Sequence, residues 1–370
     1  MSFESLAELI SKDVYGLDKT EKAKLFGKAM HEVCSFHYDH CEPYRKLCDK
    51  RAWSPQSQTG IDKIPYLPTS LFKHELLLSA DEKNIFRTIS SSATSTGISS
   101  RVGLDKETSA RQSKCFMKVA INRLGNKRRR FIVLDLEESL GRTKNVSARS
   151  STIRSLLFCA GKTDTVIKDN DGKLELNVNK LDSLLQEAEA CKEEVFIFGF
   201  TFILYAYCVK QLLNSGKSYK LNGSKVLHIG GWKKLEAQKV TPKKLIEDCC
   251  KVFGVNSKDV VDFYGFTEQS GMLYPTCEEG VRHVPNFGDI LVRDPISLEV
   301  LPFGKQGLLE FLTPIQTSYP GHSVLTEDVG LILGEDNCAC GRKGKTFKVV
   351  GRAKQAEVRG CGDIMAEKFA

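Results

Sequence analysis

A chain of 370 residues, 41% hydrophobic and 27% charged, holds enough apolar material for a sizeable core, and at ~100–200 residues per domain it allows two or three lobes. With 11 prolines and 29 glycines, a fibrous or low-complexity chain is excluded. The net charge of +8 suits nucleotide phosphates, an acidic partner or nucleic acid, but no nucleic-acid motif accompanies it, and the cluster Lys127-Arg128-Arg129-Arg130 reads as a solvated surface. The 13 cysteines, an odd number scattered from Cys34 to Cys361, argue against a disulfide framework. With no basic segment leading into an apolar one at the N-terminus, a reduced cytoplasm is the expected location.

The first 50 or so residues predict helices. Asp18-Lys19-Thr20-Glu21 offers an N-cap with a glutamate three residues on, and Leu25, Ala29, His31, Val33 and Phe36 follow at roughly helical intervals. Beyond them, short apolar runs (Phe131–Leu136, Val195–Phe198, Lys225–Ile229, Val260–Tyr264, Ile290–Val292) alternate with helix-like segments (Lys180–Cys191, Ala206–Asn214, Pro242–Phe253). This alternation predicts an α/β architecture with buried strands. The apolar run Val195–Val209 is too short for a bilayer span of ~20 residues and reads as a strand entering a core helix, so no membrane span is expected. After Gly304 glycine and proline become denser and helical periodicity fades, which predicts a β-rich lobe.

Several segments can carry chemistry. Ser90–Ser100 holds eight hydroxyl residues in eleven and can turn hydroxyls and backbone N–H groups around a phosphate. It is not a kinase-type P-loop, and the near match ending in Gly344-Lys345-Thr346 has Ala339 where the first glycine belongs. No G-x-S-x-G occurs, so a serine hydrolase is unsupported. The strand ending in Gly230-Gly231 suits close approach of a ligand to the backbone. In Tyr264-Gly265-Phe266-Thr267-Glu268 an aromatic face, a glycine, a hydroxyl and a carboxylate can stack a base, admit a phosphate and hold Mg²⁺. Asp328-Val329-Gly330 places a carboxylate where it can accept from ribose hydroxyls. Separately, Cys277, His283, Cys338 and Cys340 supply the three sulfurs and one imidazole of a closed tetrahedral, structural Zn²⁺ site.

In this order, the serine/threonine loop, the glycine pair, Tyr264–Glu268, Asp328-Val329-Gly330 and Gly351-Arg352 resemble the adenylate-forming superfamily of acyl-CoA ligases. Within it the chain looks most like the LuxE-type acyl-protein synthetases, on Ile64–Lys73, Phe198–Phe202, Gly230–Lys233 and Glu357–Cys361. The resemblance implies an α/β adenylate-forming large domain at residues 1–350, with a helical N-terminus (1–50) and a β-rich lobe (about 275–350). A short tail, 351–370, stands in place of the family's mobile lid domain. It implies that ATP and Mg²⁺ activate a carboxylic acid, a fatty acid. Ser92, Thr94, Ser95, Thr96, Gly97, Gly230, Gly231, Tyr264, Gly265, Thr267, Asp328 and Arg352 would bind the nucleotide, and Glu268 the Mg²⁺. Cys361 would accept the acyl group and pass it to a fatty-acid reductase or an acyl carrier protein.

Two departures from the superfamily pattern stand out. Thr94 occupies a usual glycine position, and Ser99-Ser100-Arg101 replaces the customary lysine after the loop. The short stretch beyond Arg352 favours capture of the acyl group by the chain's own thiol over thioester formation with CoA. The alternatives are an acyl- or aryl-CoA ligase of the phenylacetate type, suggested by Cys338–Arg342, and a non-catalytic adaptor for a reductase or acyl carrier.

Overall fold

The computed structural model describes residues 3–57, 60–91, 98–141, 145–170, 173–232 and 239–353. It opens with three helices, α1 (Glu4–Ser11), α2 (Lys19–His40) and α3 (Glu42–Lys50). The start of α2 is set locally. Asp18 accepts from the backbone N–H groups of Thr20 and Glu21, both at 2.9 Å, and Glu21 reaches back to the Asp18 N–H, a capping box contributing about 1 kcal/mol. Lys22, Phe26, Ala29, Met30, Val33, Cys34 and His37 form its buried face. The helix is thus rotated from the predicted phase: Ala29 and Val33 face inward, Leu25 and Phe36 sit at the rim, and His31 is exposed. Core side chains from later in the chain, not the helix itself, decided that phase.

A short β1 (Leu67–Pro68) and α4 (Leu71–His74) lead to β2 (Arg87–Ser90) and β3 (Arg101–Leu104), which pair antiparallel around the serine/threonine segment. Ser91 N–H to the Ser100 carbonyl and Ser100 N–H to Ser91 Oγ, each 2.9 Å, close the stem of that loop. Next come α5 (Lys106–Leu124), β4 (Arg129–Val133), β5 (Asn145–Ser147, parallel to β2), α6 (Ala148–Leu156), β6 (Ala160–Thr165) and a hairpin of β7 (Ile167–Asn170) with β8 (Lys173–Leu176). Then follow α7 (Val178–Ala190), β9 (Val195–Phe200), α8 (Lys210–Asn214), β10 (Lys225–Ile229), α9 (Pro242–Phe253), β11 (Val260–Tyr264) and β12 (Tyr274–Pro275).

The central sheet runs in the order β12-β11-β10-β9-β4-β6, parallel except for the edge strand β12. The central strands β4, β9 and β10 are buried on both faces, as their unbroken apolar runs imply, while the edge strand β6 is not. Phe131, Phe196, Phe198 and Leu227 join the core shared with the N-terminal helices and the second sheet, while Ile132, Ile197 and Val226 face the core under α7, α8 and α9. The apolar run beginning at Val195 is a strand followed by a π-helix, Ile203–Val209, that continues into α8.

The second large sheet is antiparallel along the order β13 (Arg282–His283), β17 (Lys345–Arg352), β16 (Ser323–Glu335), β15 (Gly307–Leu312) and β14 (Asp289–Arg293). It also takes β1, from far upstream, parallel to β16. The basic cluster at the start of β4 departs from expectation. Lys127 and Arg128 are exposed, but Arg130 is buried and ion-paired to Asp164 and Glu187, each at 2.8 Å, and Arg129 pairs with Glu194 at 2.9 Å. Acidic residues on β6 and around α7 neutralise charges that looked solvated in isolation. Among the described residues, no helix is long and apolar enough to cross a membrane.

Candidate functional site

Strands β9, β10 and β11 end on the same edge of the central sheet, and the loops leaving them carry several of the residues singled out in sequence. After β10, Gly230 adopts φ +84°, the left-handed region that only glycine enters without strain. Gly231 is exposed, and a Cβ there would meet nothing within 4 Å. After β11 the chain turns at Gly265 into a single 3₁₀ turn, Thr267–Gln269, whose Thr267 and Glu268 are buried.

The two large sheets meet here. The Tyr264 hydroxyl at the end of β11 donates to Asp328 Oδ2 on β16 at 2.7 Å. The β16–β17 register puts Arg352 opposite Asp328, with Nε 3.5 Å from Asp328 Oδ1 and Nη2 3.4 Å from Glu327. The Tyr264 ring stacks on Phe311 at 5.5 Å and also packs against Phe266, Tyr274 and Phe347. Burial raises the proton affinity of Asp328, opposed by the Tyr264 hydrogen bond and the Arg352 charge. Burial likewise raises the pKa of Glu268, opposed by a hydrogen bond from Ser100 at the stem of the serine/threonine loop. One buried carboxylate close to that loop fits a hard cation, which takes one or two carboxylates and completes its shell with phosphate oxygens.

Deeper in the same edge lies a polar group that motif reading did not assemble. His228 Nδ1 is 2.9 Å from Thr201 Oγ1 and 3.7 Å from Asp262 Oδ1, and Asp262 is held by Arg282. Burial lowers the His228 pKa. Just beyond β4, Asp135 is 1% exposed and accepts from Leu136 N–H (2.7 Å), Ser139 Oγ (2.7 Å) and Arg149 Nε (2.5 Å). Arg149 in turn lies over the Phe200 ring. Asp135 and Arg149 are single polar residues in ordinary contexts, so sequence carried no signal for them, whereas Thr201 lies within the Phe198–Phe202 segment and His228 just before the glycine pair.

The structure brings together Gly230, Gly231, Tyr264, Gly265, Thr267, Glu268, Asp328 and Arg352 only as described above. Ser92, Thr94, Ser95, Thr96, Gly97 and Cys361 lie outside the described residues.

The cysteine and histidine set does converge. The ligand atoms of Cys277, His283, Cys338 and Cys340 all lie within 4.8 Å of one another, from positions before β13, on β13 and in the β16–β17 turn. Burial raises the Cys277 thiol and pushes Cys338 up to about 12. Cys340 is lowered, burial being outweighed by hydrogen bonds from Arg342 and the two neighbouring thiols.

A parallel sheet with nucleotide-type loops on one edge, closed over by an antiparallel sheet, is the large-domain fold of adenylate-forming ligases. The structure superposes on 2-hydroxyisobutyryl-CoA ligase in an open conformation, a complex with 2-HIB-AMP and CoA, with a TM-score of 0.70 at 14% identity, covering 91% of this chain and 71% of that one. The same ligase in its thioesterification state gives a TM-score of 0.66 over 93% of this chain and 71% of that one. More particularly, the chain belongs to the family Acyl-protein synthetase, LuxE, whose model matches residues 2–370. It is 24% identical over 353 residues to the long-chain-fatty-acid–luciferin-component ligase of Vibrio harveyi, covering 94% of this chain and 89% of the relative. The ligase of the same name from Aliivibrio fischeri matches with the same identity and coverage.

Proposed function

We propose that this chain is a ligase that activates a carboxylic acid, an aliphatic acyl chain, as its acyl-adenylate and then captures the acyl group on Cys361. The observation that carries this reading is the Tyr264–Asp328–Arg352 connection at the edge of the parallel sheet, in a member of the acyl-protein synthetase family.

The acid's carboxylate oxygen attacks the α-phosphorus of ATP, the α–β phosphoanhydride bond breaks, and pyrophosphate leaves with the electron pair. Negative charge accumulates on the α-phosphoryl oxygens, which hydroxyls and backbone N–H groups of Ser92, Thr94, Ser95, Thr96 and Gly97 stabilise. Glu268 would hold Mg²⁺, which when bound would supply positive charge against the phosphates. Asp328 accepts from the ribose hydroxyls and Tyr264 orients it. Gly230 and Gly231 let the adenine approach the backbone, and Gly265 and Thr267 line the same turn. Arg352 balances Asp328 where the chain leaves β17. The Cys361 thiolate then attacks the activated carbonyl, the bond to the phosphate oxygen breaks, and AMP departs, leaving a thioester able to acylate a second thiol.

The names of the relatives support a long-chain fatty acid as substrate, and the acceptor we propose is a fatty-acid reductase or an acyl carrier protein. We place residues 1–350 in the adenylating body and 351–370 in an acyl-carrying tail, working in a reduced cytoplasm in which the cysteines of the described residues form no disulfides.

Intact-protein mass spectrometry after incubation with ATP, Mg²⁺ and a panel of acids tests the proposal. A covalent acyl adduct that forms without CoA is expected. Adduct-free protein with CoA-dependent turnover makes it a CoA ligase, and no acid-dependent pyrophosphate exchange makes it an adaptor.

A further inference from the structure

We propose that Cys277, His283, Cys338 and Cys340 hold one structural Zn²⁺ that fastens the β16–β17 turn to β13 and to the N-terminal helical region. Cys277 Sγ and Cys338 Sγ are 3.9 Å apart, and Cys340 Sγ is 3.2 Å from His283 Nε2. With Zn–S near 2.3 Å and Zn–N near 2.0–2.1 Å, the edges of a tetrahedron measure roughly 3.5–3.8 Å, so the two spacings bracket the required geometry. A disulfide between Cys277 and Cys338 would account for two of the donors and leave the convergence of the other two without a purpose.

The surroundings also match those of a metal site. His283 turns Nδ1 toward the Lys343 carbonyl at 3.4 Å, which holds the proton on Nδ1 and leaves the Nε2 lone pair toward the sulfurs. Each sulfur-bearing segment is a tight backbone turn. Cys277 N–H donates to the Val281 carbonyl at 2.8 Å and Gly280 N–H to the Cys277 carbonyl at 3.0 Å, while Gly341 N–H donates to the Cys338 carbonyl at 3.1 Å. Three thiolates around Zn²⁺ leave a net charge of −1, and Arg342 lies alongside, bonded to Glu278 at 2.5 Å and to Asn122 Oδ1 at 2.7 Å. Binding displaces the thiol protons to solvent, with no change of oxidation state.

Four protein donors close the tetrahedron, so no position is left for a substrate or an activated water. The centre sits at the start of β17, whereas Arg352 ends it, roughly 23 Å away at ~3.3 Å per residue. The mechanical role adds to the ties β13 already has, the Arg282–Asp262 ion pair and the Thr276–Arg282 bridge among them. The strand pairs with β17 at Arg282 with Phe347 and His283 with Thr346, and Val284 N–H continues the contact to the Lys345 carbonyl at 2.9 Å. Tyr15 packs its ring against His283 at 5.8 Å and accepts from Lys343 N–H at 3.0 Å, so the same clamp reaches the loop between α1 and α2.

The test is metal analysis of the full chain purified without chelator. About one zinc per chain is expected, released by an organomercurial as thiols are titrated and recorded with a colorimetric zinc indicator. Replacement by Co²⁺ should give the d–d bands of a tetrahedral site with thiolate-to-cobalt charge transfer. Cys340→Ser and His283→Asn should lose the zinc, while Cys191→Ser, at an exposed cysteine, should keep it. Should the ligand variants fail to fold, the cobalt spectrum and mercurial titration of the unaltered chain still decide. Folded but metal-free protein that takes up no cobalt, a Cys277–Cys338 disulfide in peptide maps, or full zinc retention in the ligand variants would overturn the proposal. These readouts do not depend on adenylation, so the zinc site and the proposed activity stand or fall separately.

Discussion

The hydroxyl of Tyr264 donates to Asp328 across 2.7 Å, and this bond ties the end of the parallel sheet to the middle strand of the antiparallel one. Asp328 is therefore already oriented at the edge proposed to bind the nucleotide, with Arg352 on its other side. Tyr264→Phe keeps the ring stack on Phe311 and removes only the bond. A hydrogen bond to a charged group is worth about 1.5–3 kcal/mol, so acid-dependent pyrophosphate release should fall about 10- to 100-fold. Asp328→Ala and Glu268→Gln should fall further. Unchanged rates in these variants would remove the nucleotide site from this edge.

The glycine pair separates backbone strain from ligand access. Gly231→Ala has open space around its Cβ and should change the urea midpoint little, while weakening ATP binding, read as a raised KM for ATP. Gly230→Ala forces φ +84° on a residue with a Cβ and should cost about 1 kcal/mol or more of stability. Equal ATP affinity in Gly231→Ala and the unaltered chain would argue that adenine does not approach this backbone.

Cys361→Ser should uncouple the two half-reactions. Carboxylate-dependent exchange of pyrophosphate into ATP should continue, because adenylation does not use the thiol. Hydroxylamine-labile acyl-enzyme should not accumulate, because a serine hydroxyl is a poor nucleophile without a positioned base. Peptide mapping should place the acyl mass on the segment containing Cys361. A label on another cysteine would overturn self-acylation at this position.

Two buried histidines make the fold acid-sensitive. His37 and His322 stack at 4.6 Å. His37 is bonded to Ser79 and the Gln316 carbonyl, and His322 to Tyr44. Burial lowers the His37 pKa from 6.5 to about 3 and puts that of His322 well below its ordinary value. Above about pH 6.5 both states are neutral and the stabilisation is complete. As pH falls below that value the unfolded chain binds protons that the folded one refuses, so stability is lost until the folded His37 itself titrates. Each histidine contributes up to about 1.4 kcal/mol per pH unit. Urea midpoints should drop between about pH 7 and about pH 5, and His37→Gln should flatten that slope. A slope unchanged in the variant would place the acid sensitivity elsewhere.

Sequence by itself determined the elements whose causes are local. The Asp18–Glu21 cap, the bounds of β10, β11 and α9, and the strand beginning at Val195 all agree with the sequence reading, because capping, β-branched runs and a proline at a helix start act within a few residues. The residue types of the Cys277, His283, Cys338 and Cys340 cluster and the order of the loop motifs were also legible, since donor chemistry and motif order are properties of the chain. Tertiary structure alone decided the phase of α2, the neutralisation of Arg130 by Asp164 and Glu187, the His228–Thr201–Asp262 group and the pairing of Tyr264 with Asp328, 64 residues apart. Each depends on strand register and on which faces pack together. Those are set by burial summed over the whole core, and no short window of sequence contains it.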